Sequence, residues 1–324
     1  MIYFHETNDF ALAGPSAVTL GKFDGVHQGH RLLMNRIRQM EKEGCISTAF
    51  AIAAGKGPML MTLAEQKQAI EGLGVQALIQ CPFLPEFMKM SPETFIEEIL
   101  LKRLHAGYVA VGTDYRFGYQ RKGDAAFLRE YGRSHGFETF IIDKASYHGR
   151  EISSTYIREE LEKGNMKAVN EMLGDPFPVY GRVMHGKHLG TGLGIPTINL
   201  VPDEKKLLPP SGVYFSVTQI DHRRVCGISN VGNNPTLGEK QVRVETHLLD
   251  FDRDLYGKEV CTRLLESVRP EHTFASVQEL QEQMNRDIAA GRKYFGEHGI
   301  MDSQCVADRT WTCDAGGGCD SEGR

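Results

Sequence analysis

Hydrophobic positions in the first half of the chain form short apolar runs that alternate with stretches of helical spacing. The runs predict five strands: Ala17–Leu20, Ile46–Ile52, Val75–Gln80, Tyr108–Val111 and Thr139–Ile142. The stretches between them predict four helices: Gly29–Glu43, Leu63–Gly72, Pro92–Leu104 and Asp124–His135. This alternation is typical of an α/β fold with a parallel, Rossmann-like sheet and helices on both faces. Such sheets bind ligands beyond the carboxyl ends of their strands.

The pattern changes after residue 150. Two short helices are predicted at Ser153–Lys163 and Asn165–Leu173, and the segment GDPFP at residues 174–178 then interrupts the periodicity. Proline-rich punctuation after a helix is a common domain boundary. We therefore expect one domain at residues 1–174 and a second domain at residues 178–296.

The second half of the chain is dominated by β-like segments at Val179–Met184, Gly212–Ile220, Arg223–Val231, Val242–Asp250 and Glu259–Val268. No long helical pattern separates them, which favours a small antiparallel β-barrel or sandwich. A helical period with one apolar face then predicts a terminal helix over Ser276–Phe295. Residues 297–324 are expected to form a disordered tail, and the cysteines in this tail lack the close pairing of a metal site.

Composition narrows the class of protein. The 324 residues are 41% hydrophobic and 24% charged, which is ordinary for a globular chain. Lys plus Arg number 37 and Asp plus Glu number 42, so the net charge of −5 disfavours a general nucleic-acid-binding surface. No apolar run reaches the length of a membrane span, and the first residues do not resemble a secretory signal. These features predict a cytoplasmic protein, with buried thiols at Cys45, Cys81, Cys226 and Cys261.

One candidate site lies between the first predicted strand and the first predicted helix, where residues 21–30 read GKFDGVHQGH. Gly21 and Gly25 allow a tight turn, and Gly29 allows a ligand to approach the backbone closely. A helix start offers free N–H groups to phosphate, and His27 and His30 flank this start. Their imidazoles can donate hydrogen bonds to phosphate oxygens. The alternatives are two histidines without a chemical role, or a zinc site that lacks further ligands.

The string GKFDGVHQGH resembles the HxGH motif of the nucleotidyltransferase superfamily, and the prokaryotic bifunctional riboflavin kinase/FAD synthetase family in particular. Three further strings resemble that family: SPETF at residues 91–95, VGTDYRFG at 111–118 with RKGD at 121–124, and ISSTYIR at 152–158. The string IPTIN at residues 195–199 resembles the Pro-Thr-Ala-Asn motif of riboflavin kinases. The resemblance covers about residues 10–295.

The resemblance implies an N-terminal FMN adenylyltransferase (FAD synthetase) domain with His27 and His30 as catalytic residues. It implies that ATP is bound by Gly21, Phe23, Asp24, His27, Gly29, His30, Ser154, Thr155 and Arg158. Either Ser154 or Thr155 is expected to cap a helix, from which Arg158 reaches the ATP phosphates. The implied flavin contacts are Asp114, Tyr115, Phe117 and Asp124, with turn formation or core packing as the alternative for each.

The resemblance also implies a C-terminal riboflavin kinase domain in which Glu245 is the catalytic base. ATP would be bound by Gly181, Gly186, Gly192, Gly194, Pro196, Thr197 and Asn199. Thr197 and Asn199 offer the oxygen ligands that Mg²⁺ prefers, whereas Ile198 points away from them in an extended strand. Arg269 is implied to contact the flavin, and His247 is expected to have a structural role.

One departure from the family pattern concerns residues 53–60. The family carries Pro-His-Pro near this position, and this chain does not. The expected function is phosphorylation of riboflavin to FMN, followed by adenylylation of FMN to FAD, with ATP as co-substrate, Mg²⁺ as cofactor and a monomeric or weakly oligomeric chain. Because Pro-His-Pro is missing, one alternative function is that of a riboflavin kinase with a weak adenylyltransferase domain. A non-catalytic flavin-binding regulator and an adenylyltransferase for another phosphate compound are the remaining alternatives.

Overall fold

The computed structural model describes residues 1–52, 57–82, 87, 89–185, 194–221, 223–233 and 242–300. The chain divides into two compact units. Unit 1 comprises Met1–Arg158 together with the short segment Asp203–Leu208, and unit 2 comprises Glu159–Pro202 and Pro209–Arg324. The expected tail at residues 297–324 lies almost entirely outside the described residues, as does the first half of the loop at 53–60.

Unit 1 is built on a six-stranded sheet whose strands all run parallel. In spatial order the strands are β1 (Ile2–His5), β4 (Ala77–Cys81), β3 (Ile46–Ile52), β2 (Ser16–Gly21), β5 (Ala106–Gly112) and β8 (Glu138–Ile142). Two short ribbons flank the sheet: β6 (Arg116–Phe117) with β7 (Gly123–Asp124), and β9 (Ser146–Tyr147) with β10 (Arg150–Glu151). The predicted parallel sheet is confirmed, and β1 was missed.

The helices of unit 1 follow the predicted order. They are α1 (Gln28–Gln39), α2 (Leu63–Gly72), α3 (Pro92–Thr94) and α4 (Ala125–His135). A 3₁₀ turn at Met40–Glu43 extends α1, a second 3₁₀ turn lies at Tyr119–Arg121, and α3 continues as a π-helix over Phe95–Arg103. Thr62 begins α2 with a capping box, in which its hydroxyl accepts from the Glu65 amide.

The strand order places a ligand crevice in unit 1. From β2 the chain adds β3 and β4 on one side, whereas β5 and β8 lie on the other side. This reversal at β2 and β5 is a topological switch point, where the connections leave a crevice at the carboxyl ends of the strands. The segments that follow β2 and β5, at residues 21–30 and 113–124, therefore begin at this crevice.

Unit 2 is a closed antiparallel barrel of six strands. Around the barrel they are β11 (Phe177–Met184), β12 (Ile198–Leu200), β15 (Val242–Leu248), β14 (Arg223–Asn233), β13 (Gly212–Ile220) and β16 (Glu259–Pro270). The prediction of a barrel or sandwich is confirmed as a barrel, and the three-residue β12 was missed. The terminal helix α7 (Val277–Glu297) is also confirmed, and its Phe295 is fully buried with Phe215 and Ile228 of the barrel.

The predicted pair of helices before the barrel is present as α5 (Ser154–Glu162) and α6 (Met166–Leu173). The division between the units falls inside α5, after Arg158, whereas the sequence suggested a boundary at residues 174–178. The reason is that α6 packs on the barrel. The Asn170 amide donates to the carbonyls of Leu264 and Leu265 on β16 and its oxygen accepts from the Phe177 amide, so α6 belongs with unit 2.

Candidate active sites

The loop after β2 in unit 1 has an unusual backbone. Phe23 and Val26 have φ values of 49° and 43°, in the left-handed region that side chains disfavour, and both residues are fully buried. A Cβ atom on Gly21 would lie 2.9 Å from the Phe23 ring, so Gly21 and Phe23 fit together in the turn. Strained backbone of this kind persists where packing holds it, and such strain is concentrated at functional sites.

His27 and His30 lie face to face at the start of α1. Their ring centroids are 3.6 Å apart with an interplanar angle of 20°, and Phe23 packs edge-on against His30. His27 is the residue before the first helical position and makes no capping hydrogen bond with its side chain. A Cβ atom on Gly29 would lie 3.3 Å from the His27 ring, which is why a small residue fits between the two histidines.

Both imidazoles are neutral at neutral pH. Burial lowers the pKa of His27 to about 4, and burial and the neighbouring His27 hold the pKa of His30 well below its usual value. The Nδ1 atoms of both rings are buried and have no hydrogen-bond partner among the described residues. Buried polar atoms are normally paired, so the two rings have unused hydrogen-bonding capacity at the crevice. An anion bound here would favour protonation of the rings and raise both pKa values.

Asp24 connects the loop to two other parts of unit 1. Its Oδ1 accepts from the amides of Leu60 at 2.9 Å and Met61 at 3.1 Å, and its Oδ2 pairs with the Arg158 guanidinium. The carbonyl of Asp24 also accepts from the Ser154 hydroxyl at 2.8 Å. The Asp24 carboxylate is therefore occupied by protein groups. The Leu60 and Met61 amides are site components that sequence reasoning missed, because backbone donors carry no residue signature.

Arg158 presents a fixed cation in unit 1. Its side chain is 31% exposed, and its guanidinium contacts Asp24 and, at 3.4 Å, the Pro58 carbonyl. Its ion-pair partner Asp24 lies 134 residues away in the sequence, so the pair joins two distant parts of the chain. The cap expected at Ser154 or Thr155 is provided instead by Ser153, whose Oγ accepts from the Tyr156 amide, because the helix begins one residue earlier than that expectation required. Thr155 is exposed.

The residues predicted to contact a flavin range from buried to exposed. Phe117 is buried and packs against Phe95 and Phe127, with Tyr115 stacked on it at 5.6 Å. Asp124 caps α4 by accepting from the Phe127 amide, which is the main reason its pKa is lowered, and it also pairs with Arg116 at 2.6 Å. Asp114 is exposed and pairs with Lys144 at 2.8 Å. Of these residues, Phe117 and Asp124 have clear structural roles.

In unit 2, three polar residues form a row across neighbouring strands. Asn199 of β12 lies directly opposite Glu245 of β15, and Glu245 lies opposite Asn230 of β14. Directly opposed residues of antiparallel strands project from the same face of a sheet. The alternate residues Val244, Thr246 and Leu248 are buried, so the row lies on the outer face of the barrel.

A cavity of about 380 Å³ opens beside this row. Its lining combines polar and apolar side chains. The polar ones are Thr197, Asn230, Glu245, His247, Arg269, Glu271, His272 and Asp287, and the apolar ones are Ile195, Val213, Ile228, Phe274, Leu280, Met284 and Ile288. Its volume lies in the range of about 300–1,000 Å³ for small-molecule sites. This mixture of polar and apolar side chains suits a ligand that carries both an apolar ring and polar groups.

Arg269 lines the cavity, and Asp287 on α7 fixes the position of its guanidinium by hydrogen bonds. Arg269 donates to both carboxylate oxygens of Asp287 over 2.8–3.2 Å, and Gln283 adds a further hydrogen bond to that carboxylate at 2.8 Å. Asp287 is only 5% exposed. Sequence reasoning missed Asp287, since an acidic residue on an otherwise polar helix face carries no distinguishing signal.

The segment before β12 is held by the barrel. His247 donates from Nδ1 to the Pro196 carbonyl at 2.8 Å, which gives it the expected structural role beside the cavity. Gly194 has a φ of 75°, a conformation that favours glycine. A Cβ atom on Gly181 would lie 3.4 Å from the Val201 carbonyl, so Gly181 lies close to a neighbouring backbone. The predicted ATP contacts Gly186 and Gly192 lie outside the described residues.

The donor set near Asn199 fits a hard cation. Asn199 is 4% exposed, and its Oδ1 has no hydrogen-bond partner in the described part of the chain. Thr197 lies two residues earlier and lines the cavity. Mg²⁺ takes oxygen ligands of this type and commonly relies on ligand phosphates for the rest. The described ranges contain no cluster of three or more His, Cys, Asp or Glu side chains arranged to hold a metal.

Comparison with known proteins divides the chain in the same way. A family model described as FAD synthetase matches residues 10–156, and one described as riboflavin kinase matches residues 173–295. A bifunctional riboflavin kinase/FMN adenylyltransferase of Escherichia coli strain K12 is 34% identical over 290 residues, which cover 86% of this chain and 92% of the relative. A protein of the same name from Pseudomonas fluorescens is 33% identical over 284 residues, covering 85% and 91%.

A solved structure is also similar over most of its length. A protein from Streptococcus pneumoniae, titled a macrolide-efflux protein, superimposes with a TM-score of 0.79 and 28% identity. The match covers 90% of this chain and 98% of that one.

Within the ranges that the structure describes, no helix is both long and apolar enough to cross a membrane.

Proposed function

The chain belongs to the bifunctional riboflavin kinase/FMN adenylyltransferase family, and we propose that the two activities of this enzyme are divided between its two units. Unit 2 phosphorylates riboflavin to FMN, and unit 1 adenylylates FMN to FAD, each reaction using ATP. The observation that carries this division is chemical. A carboxylate beside a cavity lies in unit 2, and a pair of neutral histidines at a helix start lies in unit 1.

In unit 1, an FMN phosphate oxygen attacks the α-phosphorus of ATP. The bond to the bridging oxygen breaks, and pyrophosphate leaves with the electron pair. The nucleophile is already an anion, so the reaction needs positioning and charge neutralisation rather than a base. His27 and His30 donate hydrogen bonds to the phosphate oxygens, and Arg158 provides a fixed positive charge that Asp24 orients.

In unit 2, Glu245 accepts the proton of the ribityl 5′-hydroxyl as that oxygen attacks the γ-phosphorus of ATP, and ADP leaves. The apolar side chains of the cavity lining suit the isoalloxazine ring, and Arg269, held by Asp287, belongs to the same lining. Thr197 and Asn199 would hold Mg²⁺, which when bound neutralises phosphate charge. The proposed role of the buried Asn199 oxygen explains why it has no hydrogen-bond partner among the residues that the structure describes.

Product analysis of single variants tests the division. We expect Glu245→Gln to lower FMN formation from riboflavin by about 10²–10⁴-fold, the usual contribution of a general base, and to leave FAD formation from supplied FMN unchanged. Glu266→Gln, an exposed carboxylate on β16 outside the cavity lining, is the matched control. Liquid chromatography of flavins after incubation with Mg²⁺ and ATP gives both rates from one protein.

The reciprocal variant is His30→Ala. We expect it to lower FAD formation from FMN while FMN formation from riboflavin is retained, with the exposed His135→Ala as the control. If either substitution removed both activities from a folded protein, the division between the units would be wrong. If the wild-type protein makes FMN from riboflavin but leaves supplied FMN unchanged, it is a riboflavin kinase with a weak adenylyltransferase unit. The missing Pro-His-Pro near residues 53–60 would then be the reason.

Three finer expectations complete the proposal: a cytoplasmic location, a monomeric or weakly oligomeric state, and no nucleic-acid partner. The net charge of −5 supports the last of these. Sedimentation over a concentration series tests the oligomeric state, and a higher-order species that persists on dilution would contradict it.

A further inference from the structure

Lys206 is a fully buried cation in unit 1. Its side chain and that of Glu65 are both 0% exposed, and its Nζ lies 2.7 Å from Glu65 Oε2. Lysine is almost never fully buried unless its charge is paired. The segment that carries it, Asp203–Leu208, belongs to unit 1, although residue 206 falls inside the match to the riboflavin kinase family. None of the motifs of the adenylyltransferase site includes it.

Lys206 holds the backbone next to Asp24. Its Nζ donates to the Leu60 carbonyl at 2.7 Å, while the Leu60 amide donates to Asp24. The backbone on both sides of Lys206 adds to this: the Met59 amide donates to the Lys205 carbonyl at 2.7 Å, and the Leu207 amide donates to the Met59 carbonyl at 2.8 Å. Residues 59–61 are therefore held between Asp24 on one side and the Lys206 segment on the other.

The partner of Lys206 is itself part of a local structure. Glu65 Oε2 accepts from the Thr62 amide at 2.8 Å, and the Glu65 amide donates to the Thr62 hydroxyl at 3.2 Å. One carboxylate oxygen thus joins Lys206 to the capping box that begins α2. The start of α2 and the two amides that hold Asp24 are separated only by the turn at Thr62.

Asp24 links the backbone at Leu60 to the residues of the candidate adenylyltransferase site. Its Oδ2 pairs with Arg158, its carbonyl accepts from Ser154, and it precedes His27 by three residues in the strained loop. A shift of Leu60 would move the amides that fix Asp24, and Arg158 would lose its orientation with it. A misplacement of about 1 Å at a reacting centre costs on the order of 10²-fold in rate.

We propose that Lys206 is a positioning residue for FMN adenylylation: through Leu60 and Asp24 it holds Arg158 where the phosphates of ATP bind. The inference rests on the proposed adenylyltransferase role of unit 1. Lys206 lies in the region that matches the riboflavin kinase family, and the proposal gives it a role in FMN adenylylation. The riboflavin kinase reaction does not use this contact.

The test compares Lys206→Met with Lys205→Met in the full-length protein. The two lysines are adjacent, but Lys205 is exposed and uses only its backbone in the contacts described. We expect Lys206→Met to lower kcat/KM for FAD formation from FMN by about tenfold or more, mainly through a higher KM for ATP. Riboflavin kinase activity in the same preparation and both activities of Lys205→Met should remain at the wild-type level.

A second variant separates positioning from stability. Lys206→Met leaves the Glu65 carboxylate buried without its countercharge, and Lys206→Met/Glu65→Gln removes that charge while keeping an acceptor for Thr62. The double variant should recover the unfolding midpoint but retain the high KM for ATP, since the Leu60 carbonyl still lacks its donor. Recovery of the KM together with the midpoint would overturn the proposal, as would a wild-type KM in either variant.

A double-mutant cycle adds a readout that a purely structural role would not move. If Lys206 acts through Asp24 and Arg158, then Lys206→Met should change the KM for ATP much less in an Arg158→Gln background than in the wild type. Fully additive effects would contradict the proposal. Wild-type protein that makes no FAD from FMN would instead refute the proposed function of unit 1, before any variant is compared.

Discussion

Two Arg–Asp pairs, each with one residue on helix α7, differ in burial, and this difference gives a quantitative prediction. Arg269 pairs with Asp287, whose carboxylate is 6% exposed, whereas Arg292 makes two hydrogen bonds of 2.7 Å to Asp250, which is 67% exposed. Asparagine keeps the shape of aspartate and one acceptor oxygen but loses the charge. We therefore compare Asp287→Asn with Asp250→Asn.

The structure sets the expected magnitudes. Breaking a fully buried ion pair costs about 3–5 kcal/mol, because one charge remains buried and unpaired. Arg269 is 20% exposed and can regain some hydration, so we expect Asp287→Asn to lower the free energy of unfolding by about 2 kcal/mol. The exposed pair is screened by water, and Asp250→Asn should cost less than about 1 kcal/mol.

Function provides the second readout of the same variants. Arg269 lines the kinase cavity, so its release from Asp287 should raise the KM for riboflavin by about tenfold, equivalent to about 1.4 kcal/mol. FAD formation from supplied FMN should not change. Urea unfolding followed by circular dichroism, together with flavin chromatography, measures both effects. Equal destabilisation by the two substitutions, or an unchanged KM in Asp287→Asn, would refute the reasoning from burial.

Two further predictions concern titration and the buried amide. Burial lowers the pKa of His27 to about 4, so the unfolded state binds more protons between pH 6.5 and about 4, and stability falls as the pH falls through this window. Unfolding free energies from pH 7 to 4 should therefore decline less steeply for His27→Gln than for the wild type; parallel curves would contradict the burial of His27. Asn199→Leu removes a buried oxygen that has no hydrogen-bond partner within the described ranges, so without Mg²⁺ the protein should be as stable as the wild type or about 1 kcal/mol more stable. Because one proposed ligand is removed, the same variant should need a higher Mg²⁺ concentration for half-maximal FMN formation in a metal titration, and a wild-type titration curve would argue against a ligand role for Asn199.

The parts of the fold that could be predicted were those with a local signal. The alternation of apolar runs and helical spacing predicted the parallel sheet, and turn-separated β segments predicted the barrel. The missed strand β12 has three residues, too few for a periodic pattern, and β1 precedes the first clear helical pattern. Strand β1 pairs with β4, which is distant in the sequence, and such pairing is set by tertiary contacts rather than by local propensity.

The candidate sites show the same limit. His27, Thr197 and Asn199 stand in short strings that resemble family motifs, and the role of Glu245 is implied by the same resemblance. The string alone could not decide whether Phe117 would contact a ligand or pack in the core, because an aromatic residue suits both roles. Lys206 stands in the run DEKK at residues 203–206, which reads as a charged surface, and only the three-dimensional structure places one of these lysines at 0% exposure.

The acidic residues of the two sites differ in a way that follows from the two nucleophiles. Riboflavin attacks through a neutral hydroxyl, whose proton must be accepted, and unit 2 places Glu245 in the lining of the cavity. FMN attacks through a phosphate that is already ionised, so a base would contribute nothing in unit 1. The carboxylate there, Asp24, is tied to Arg158 and to two backbone amides, and so orients a cation instead of accepting a proton. Under the proposed mechanism, an acidic side chain is thus a reactant in one unit and part of the scaffold in the other.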